Sequence, residues 1–203
     1  MSHTLSSLYN VHLRTWNEDD IDGYTQLISD PETMQFISSG ATRNRSIAAT
    51  EIENFQKEIT AQGWSRWAIS LGKDAPFIGY AGFAKKDLGI NFGNRFLKRY
   101  WGTPYPFTAI HLALDYGFTH FNFKSIYTLT NIKHTRAIEM NRAFLHEPEA
   151  SGSIIETPYG PHLKIDLSRE KYAEIYDLNR AKIDVFSKRM LRQHAHQRIP
   201  TSL

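Results

Sequence analysis

The hydrophobic pattern changes period in the middle of the chain, and this change constrains the fold more than any other feature. Trp64–Leu71, Phe77–Phe83 and Ile90–Leu97 are short apolar runs. The turn-forming stretches Gly72–Pro76 and Lys85–Gly89 separate them, so they read as three strands of an antiparallel meander. A helical stretch at about Phe107–Phe121 follows, then a strand over Ser125–Thr130 and a helix from Thr135 to about His146. Strand, helix and strand in that order imply a parallel crossover. The sheet is therefore predicted to be mixed, and the fold class α/β (α+β).

The flanks extend this frame. Val11–Trp16 alternates like a strand, and Asn17 stands where it can cap a helix with an acidic first turn, Glu18–Asp20. Ile21, Tyr24, Leu27 and Ile28 give that helix an apolar stripe, and Asp30-Pro31 ends it. A second helix is expected from Ile47 to Ala61, stopped by Gly63. Ile154–Glu156 and His162–Leu167 flank Thr157-Pro-Tyr-Gly-Pro161 as a closing hairpin. From Ser168 onward Tyr172, Tyr176, Asn179, Ile183, Phe186 and Met190 recur at helical spacing. This stripe predicts packing on the domain or on a second copy of the chain, with Asn179 fixing the register of a homodimer. The expected organisation is a flexible N-terminus over 1–10, one domain over 11–167, and an amphipathic helix with a polar tail over 168–203.

Composition excludes several classes. At 203 residues, 41% hydrophobic and 22% charged, the chain can bury a sizeable core and does not read as disordered. Residues 169–203 hold eight basic and four acidic residues, so the net charge of +3 belongs to the C-terminal segment and the body is near neutral. That distribution argues against nucleic acid as a partner. The most apolar run, Phe77–Phe83, is too short to span a bilayer, so no membrane association is expected. The first thirty residues lack a secretory pattern, which points to a cytoplasmic setting. With no cysteine there is no thiolate metal site and no acyl-cysteine intermediate. Of nine histidines only His194 and His196 lie close together, and no metal site is expected.

The chemistry-bearing stretch is Gly93–Leu145. A strand ending near Leu97 leads through Lys98-Arg-Tyr-Trp-Gly-Thr-Pro-Tyr-Pro-Phe107 into a helix. Free amides and the positive end of the helix dipole suit such a turn to phosphate. Taken in order, the elements resemble the GNAT superfamily of acetyl-CoA-dependent N-acetyltransferases, specifically its RimJ/RimL-like branch. Leu13-Arg-Thr-Trp-Asn-Glu-Asp-Asp20 and Leu27-Ile-Ser-Asp-Pro-Glu32 resemble that branch's first strand and helix. Trp67-Ala-Ile69 and Phe77-Ile-Gly-Tyr-Ala-Gly82 resemble its next strands, Tyr100-Trp-Gly102 its cofactor turn, and Leu114-Asp-Tyr-Gly-Phe118 the end of the following helix.

The resemblance implies a strongly twisted sheet, flanked by helices, that splays open between Ile90–Leu97 and Ser125–Thr130, with acetyl-CoA as cosubstrate in the notch and no metal. It implies that pantetheine pairs with backbone near Leu97. The pyrophosphate would lie on amides between Arg99 and Phe107, those of Gly102, Thr103, Tyr105 and Phe107 among them. Asn131 would bond a carbonyl of pantetheine or substrate, or simply cap a turn. An amine, on a small molecule or a protein N-terminus, would attack the thioester directly. The chain also departs from the family pattern. Thr103 and Pro104 replace a basic residue and a glycine, Pro106 replaces a small residue, Asn91 stands where a glutamate is frequent, and Ala137 replaces a serine. Each proline removes an amide donor. Asn91 and His134 are the candidate catalytic positions. Only His134 titrates near neutrality, and it is otherwise a solvent-facing helix-end residue. Two functions remain open: an N-acetyltransferase, or a catalytically silent binding protein with a repurposed notch.

Overall fold

The computed structural model describes the backbone of residues 2–197 and the side chains of residues 2–189. One eight-stranded sheet, in the order β1-β2-β3-β4-β5-β6-β8-β7, carries helices on both faces. Its strands are β1 (Thr4–Leu8), β2 (Val11–Arg14), β3 (Arg66–Leu71), β4 (Phe77–Lys86), β5 (Gly89–Phe96), β6 (Ser125–Asn131), β7 (Ser153–Thr157) and β8 (Gly160–Ser168). The helices are α1 (Asp20–Ser29), α2 (Pro31–Met34), α3 (Arg45–Gln62), α4 (Pro104–His120), α5 (Thr135–Leu145) and α6 (Arg169–Gln197). The β3–β5 meander is antiparallel, and β5 to β6 is the parallel step that the strand-helix-strand order predicts.

Three features differ from expectation. Residues 4–8 are not a flexible lead but a strand, paired antiparallel with β2 from Thr4↔Arg14 to Leu8↔Val11. Its polar Ser6-Ser7 breaks the apolar alternation, so only Leu5 and Leu8 reach the core and pairing with β2 carries the rest of the strand. Asn17 does not cap α1, which begins at Asp20. Asp20 instead ion-pairs with Arg14 at 2.6 Å, both side chains almost wholly buried, and accepts a bond from the Asn17 amide. Finally, α4 begins three residues earlier than the sequence pattern indicated, at Pro104, where a proline's missing amide is harmless to the helix itself. Asn44 does act as expected of its type, bonding the Ile47 amide at 3.1 Å to start α3, and Gly63 ends that helix at φ 87°.

Two apolar cores lie on opposite faces. Leu13, Trp67, Phe83, Phe92, Phe96 and Phe118 belong to the one under α4–α6, while Trp16, Tyr24, Leu27, Ala68, Tyr80 and Leu97 belong to the one under α1–α3. The stripe on α6 has the first of its two possible occupants, its own domain. Tyr172 stacks on Phe118 at 4.5 Å, Tyr176 approaches His111 at 4.9 Å and Phe186 meets Phe107 at 6.3 Å, so α6 runs antiparallel to α4. Asn179 is buried and donates to the Phe144 carbonyl at 2.9 Å, and it bonds His146 at 3.1 Å, closing the C-terminus of α5. It fixes an intramolecular register. From Tyr172 to Phe186 the stripe is thus occupied by its own domain; the side chain of Met190 lies outside the described residues. Helix α6 continues past His194 to Gln197; the tail beyond it lies outside the described residues.

Candidate active site

Strands β5 and β6 are hydrogen-bonded at two residue pairs only, Asn91↔Tyr127 and Phe92↔Thr128. Beyond them the strands diverge, and a notch opens between Gly93–Leu97 and Leu129–Asn131. The register of β5 on β4 decides which groups face it. Leu97 donates its amide to the Ile78 carbonyl at 2.9 Å, and its own carbonyl accepts from Tyr100 at 2.9 Å. Because the β4–β5 register is unbroken, backbone groups alternate along β5. Those of residues 91, 93, 95 and 97 point to β4, and those of Asn94 and Phe96 point toward the notch. The Phe96 carbonyl is taken by the Trp101 indole at 2.8 Å. The exposed pairing edge is therefore formed by Asn94 and the Phe96 amide, next to Leu97 rather than at it.

The turn into α4 offers fewer donors than its length suggests. Gly102 has φ 73°, a left-handed conformation that favours glycine. The Thr103 amide bonds the Tyr100 carbonyl at 3.3 Å and its hydroxyl donates to the same oxygen at 2.7 Å. Of the four first-turn positions whose amides a helix leaves free, Thr103, Pro104, Tyr105 and Pro106, two are prolines and Thr103 is engaged. Phe107 lies one residue deeper, where its amide closes the first helical bond. The free donors are thus the amides of Gly102 and Tyr105. Arg99 turns away from them, bonding Gln26 at 3.2 Å and lying over the Tyr100 ring, and Lys98 pairs with Glu32. The cation beside the first turn of α4 comes from α6: the Lys182 ammonium lies 4.8 Å from the Phe107 ring centroid.

The two candidate catalytic residues stand at opposite ends of the notch. Asn91 is at its closed end, where its Oδ1 accepts from Arg66 at 3.4 Å and its Nδ2 donates to the Tyr127 carbonyl at 3.4 Å, tying the strands together. His134 is at the open end, preceding α5. Four strand residues, about 13 Å, separate Tyr127 from Asn131, so Asn91 and His134 do not meet. Nor is His134 a solvent-facing helix end. Its ring stacks on Phe36, from the segment after α2, at 4.6 Å. Burial first, then the charge of Arg136, lower its pKa, which keeps the imidazole neutral at neutral pH. The Asn131 carboxamide oxygen accepts from the Lys133 amide at 3.0 Å, so it caps the turn.

Residues 10–142, well over half of the chain, match the family described as Acetyltransferase (GNAT) domain. The chain belongs to the GNAT acetyltransferase family. It is 23% identical over 155 residues to an uncharacterized N-acetyltransferase, p20, of Bacillus licheniformis, covering 71% of this chain and 84% of that protein. Among solved structures it resembles Mycobacterium smegmatis RimJ in complex with CoA-disulfide, with a TM-score of 0.64 and 12% identity over 81% of this chain and 88% of that one. It also resembles a Vibrio cholerae spermidine N-acetyltransferase in complex with CoA and spermine, with a TM-score of 0.60 and 16% identity over 81% and 98% of the two chains. At these identities the two structures establish a shared fold.

The residues present fit the GNAT cosubstrate unevenly. The free edge of Asn94 and Phe96 suits an amide-bearing arm, and the start of α4 retains its dipole, two amides and a nearby lysine. Among the described residues no group of three or more histidine or carboxylate side chains gathers to hold a metal ion, and no helix is long and apolar enough to cross a membrane. Sequence reasoning missed Asn94, Phe96 and Lys182, as well as Arg66 and Arg95. The two arginines carried a signal, since each is the one charged residue of its strand.

Proposed function

We propose that the protein transfers an acetyl group from acetyl-CoA to a primary amine, as a RimJ/RimL-like member of its family acting in the cytoplasm. The observation that carries this reading is the interrupted β5–β6 pairing, which leaves a strand edge leading straight to the N-terminus of α4. Both solved relatives described above were determined with a coenzyme A species, which supports placing the cosubstrate here.

Acetyl-CoA supplies an activated thioester. The backbone of Asn94 and Phe96 holds its pantetheine arm, and one of their amides stabilises the charge that develops on the carbonyl oxygen. The amides of Gly102 and Tyr105 and the ammonium of Lys182 receive the pyrophosphate. The acceptor nitrogen attacks the thioester carbon; the carbon–nitrogen bond forms as the carbon–sulfur bond breaks, and the thiolate takes up a proton from water. His134, held neutral, accepts the proton lost from the amine, through water where the ring does not reach it. The acceptor is a primary amine, on a protein N-terminus or on a small molecule.

Thermal unfolding with acetyl-CoA and CoA tests this. A ligand that binds only the native state raises the midpoint, and at about 100 times its dissociation constant adds about 2.7 kcal/mol. A rise with both ligands is expected, and Lys182→Met should weaken it, most at low salt. No shift at millimolar ligand overturns the reading. The silent-binder alternative is favoured by one specific observation, the two prolines in the first turn of α4. It predicts a weak shift or none with CoA, and no thiol release with any amine.

A further inference from the structure

Arg66 on β3 and Arg95 on β5 share the face of the sheet that α1–α3 cover, and both flank Tyr80 on β4. Their guanidinium carbons lie 5.9 and 5.6 Å from the Tyr80 ring centroid. Arg66 donates to the Gly82 carbonyl at 3.0 Å and to Asn91 at 3.4 Å. Arg95 donates one nitrogen to the Met34 sulfur at 3.1 Å, and its Nε is buried with no partner. Neither arginine has a carboxylate within ion-pair distance among the described residues, whereas Arg43 on the same side is paired with Glu51, whose other oxygen accepts from Tyr24 at 2.6 Å. Two half-buried guanidinium groups are thus left with neutral or weakly accepting partners. Sulfur is a poor acceptor, and an unpaired buried donor is unfavourable unless something else meets it.

The surrounding residues keep both charges available. A Cβ at position 93 would come within 2.9 Å of an Arg66 terminal nitrogen, so Gly93 makes room for the guanidinium. Asn91 bonds Arg66 without neutralising it, as a carboxylate at that position would. Both arginines lie beside the stretch of β5 where the notch opens. A guanidinium presents its donors as a fork that matches the paired oxygens of a carboxylate or phosphate.

We infer that the acceptor amine belongs to a molecule that also carries an oxyanion, carboxylate or phosphate, held by Arg95 and Arg66 while the amine faces the notch. This rests on the reading of the notch as an acetyl-CoA site. It gives the substitution at Asn91 a role, since it leaves Arg66 charged and unmatched. It also sets this chain apart from a polyamine acetyltransferase, because two arginines repel a polycation.

The test is ligand-observed NMR binding on CoA-loaded protein, with paired compounds at about 10 mM that differ in one anionic group. The pairs are alanylalanine with its C-terminal amide and glucosamine 6-phosphate with glucosamine, and spermidine is run beside them. At least one compound with the anionic group is expected to bind about tenfold tighter than its twin without it, and which pair shows it separates carboxylate from phosphate. Arg95→Gln and Arg66→Gln should remove the preference, and Arg95→Lys should keep part of it. Equal binding within both pairs, tighter binding of spermidine, or no binding of either anion overturns the inference. The comparison within each pair uses unaltered protein, so an unstable variant does not decide it. If CoA fails to bind, the reading of the notch falls, and the same titrations on the free protein still test the arginines.

Discussion

The two sides of the notch treat polar groups in opposite ways. On the α4–α6 side many are engaged or removed, although the Gly102 and Tyr105 amides stay free and the buried His111 Nδ1, Thr128 Oγ1 and Arg142 Nε have no partner. Thr103 bonds back to Tyr100, two prolines occupy amide positions, and Asn179 closes the end of α5. On the α1–α3 side strong donors are left over, with Arg66 and Arg95 facing no carboxylate among the described residues. On the proposed function, the difference follows from what each side would recognise. A cosubstrate shared by a whole family would be held chiefly by backbone, for which a strand edge and a helix start suffice. An acceptor specific to one protein would be read by side chains such as the unmatched arginines.

Breaking the α1–α3 side should have the largest effect. Arg14→Met strands the buried Asp20 carboxylate and should lower stability by about 3–5 kcal/mol in denaturant melts. Replacing Asp20 by leucine as well should recover much of that loss. The opposite face offers a pH test. Burial pushes His111 down to about 4, with Arg180 adding to the effect and Asp115 and Asp184 opposing it. Its unfolded value is near 6.5, so between these values the unfolded chain binds a proton that the native ring refuses. The His111 contribution to stability is therefore complete above about 6.5 and lost as the pH falls toward 4, at up to about 1.4 kcal/mol per pH unit. His111→Gln should flatten that part of the profile.

Next comes Asn179→Leu, which leaves the Phe144 carbonyl and His146 without a partner and should cost about 1–3 kcal/mol. It should leave the anion preference on the far side unchanged; loss of that preference would show that the two sides are coupled. The smallest effect is expected of Pro104→Gly. Restoring one amide should tighten CoA about fivefold, or roughly 1 kcal/mol, in a binding titration. No gain would show that the amide count does not limit the cosubstrate side.

The apolar runs and turns of Trp64–Leu97 and the strand-helix-strand that follows were enough to order the central sheet and locate its parallel step, because burial on one or both faces leaves a trace in the hydrophobic pattern. The first strand left none. Thr4–Leu8 buries only Leu8, with Leu5 packed against the core, and is otherwise tied by backbone hydrogen bonds, which carry no residue signature. Of the site, the position of the notch and of the α4 turn was legible. The division of backbone groups between Leu97 and its neighbours was not, since it depends on the register against β4. Asn91 and His134 were identified as chemical residue types, yet their separation along the notch was invisible in the sequence.

The amino-acid sequence by itself determined the order of the main elements after the first strand, the family, and the loss of amides at Pro104 and Pro106, because proline lacks the donor in any context. Only the tertiary structure decided that the stripe of α6 closes on its own domain, that Lys182 reaches the start of α4, and that His134 is neutral against Phe36. It also decided that Arg66 and Arg95 flank one ring without a carboxylate. Each of these depends on residues distant in sequence being brought within a few ångströms, and neither hydrophobic period nor spacing encodes which partner a side chain meets.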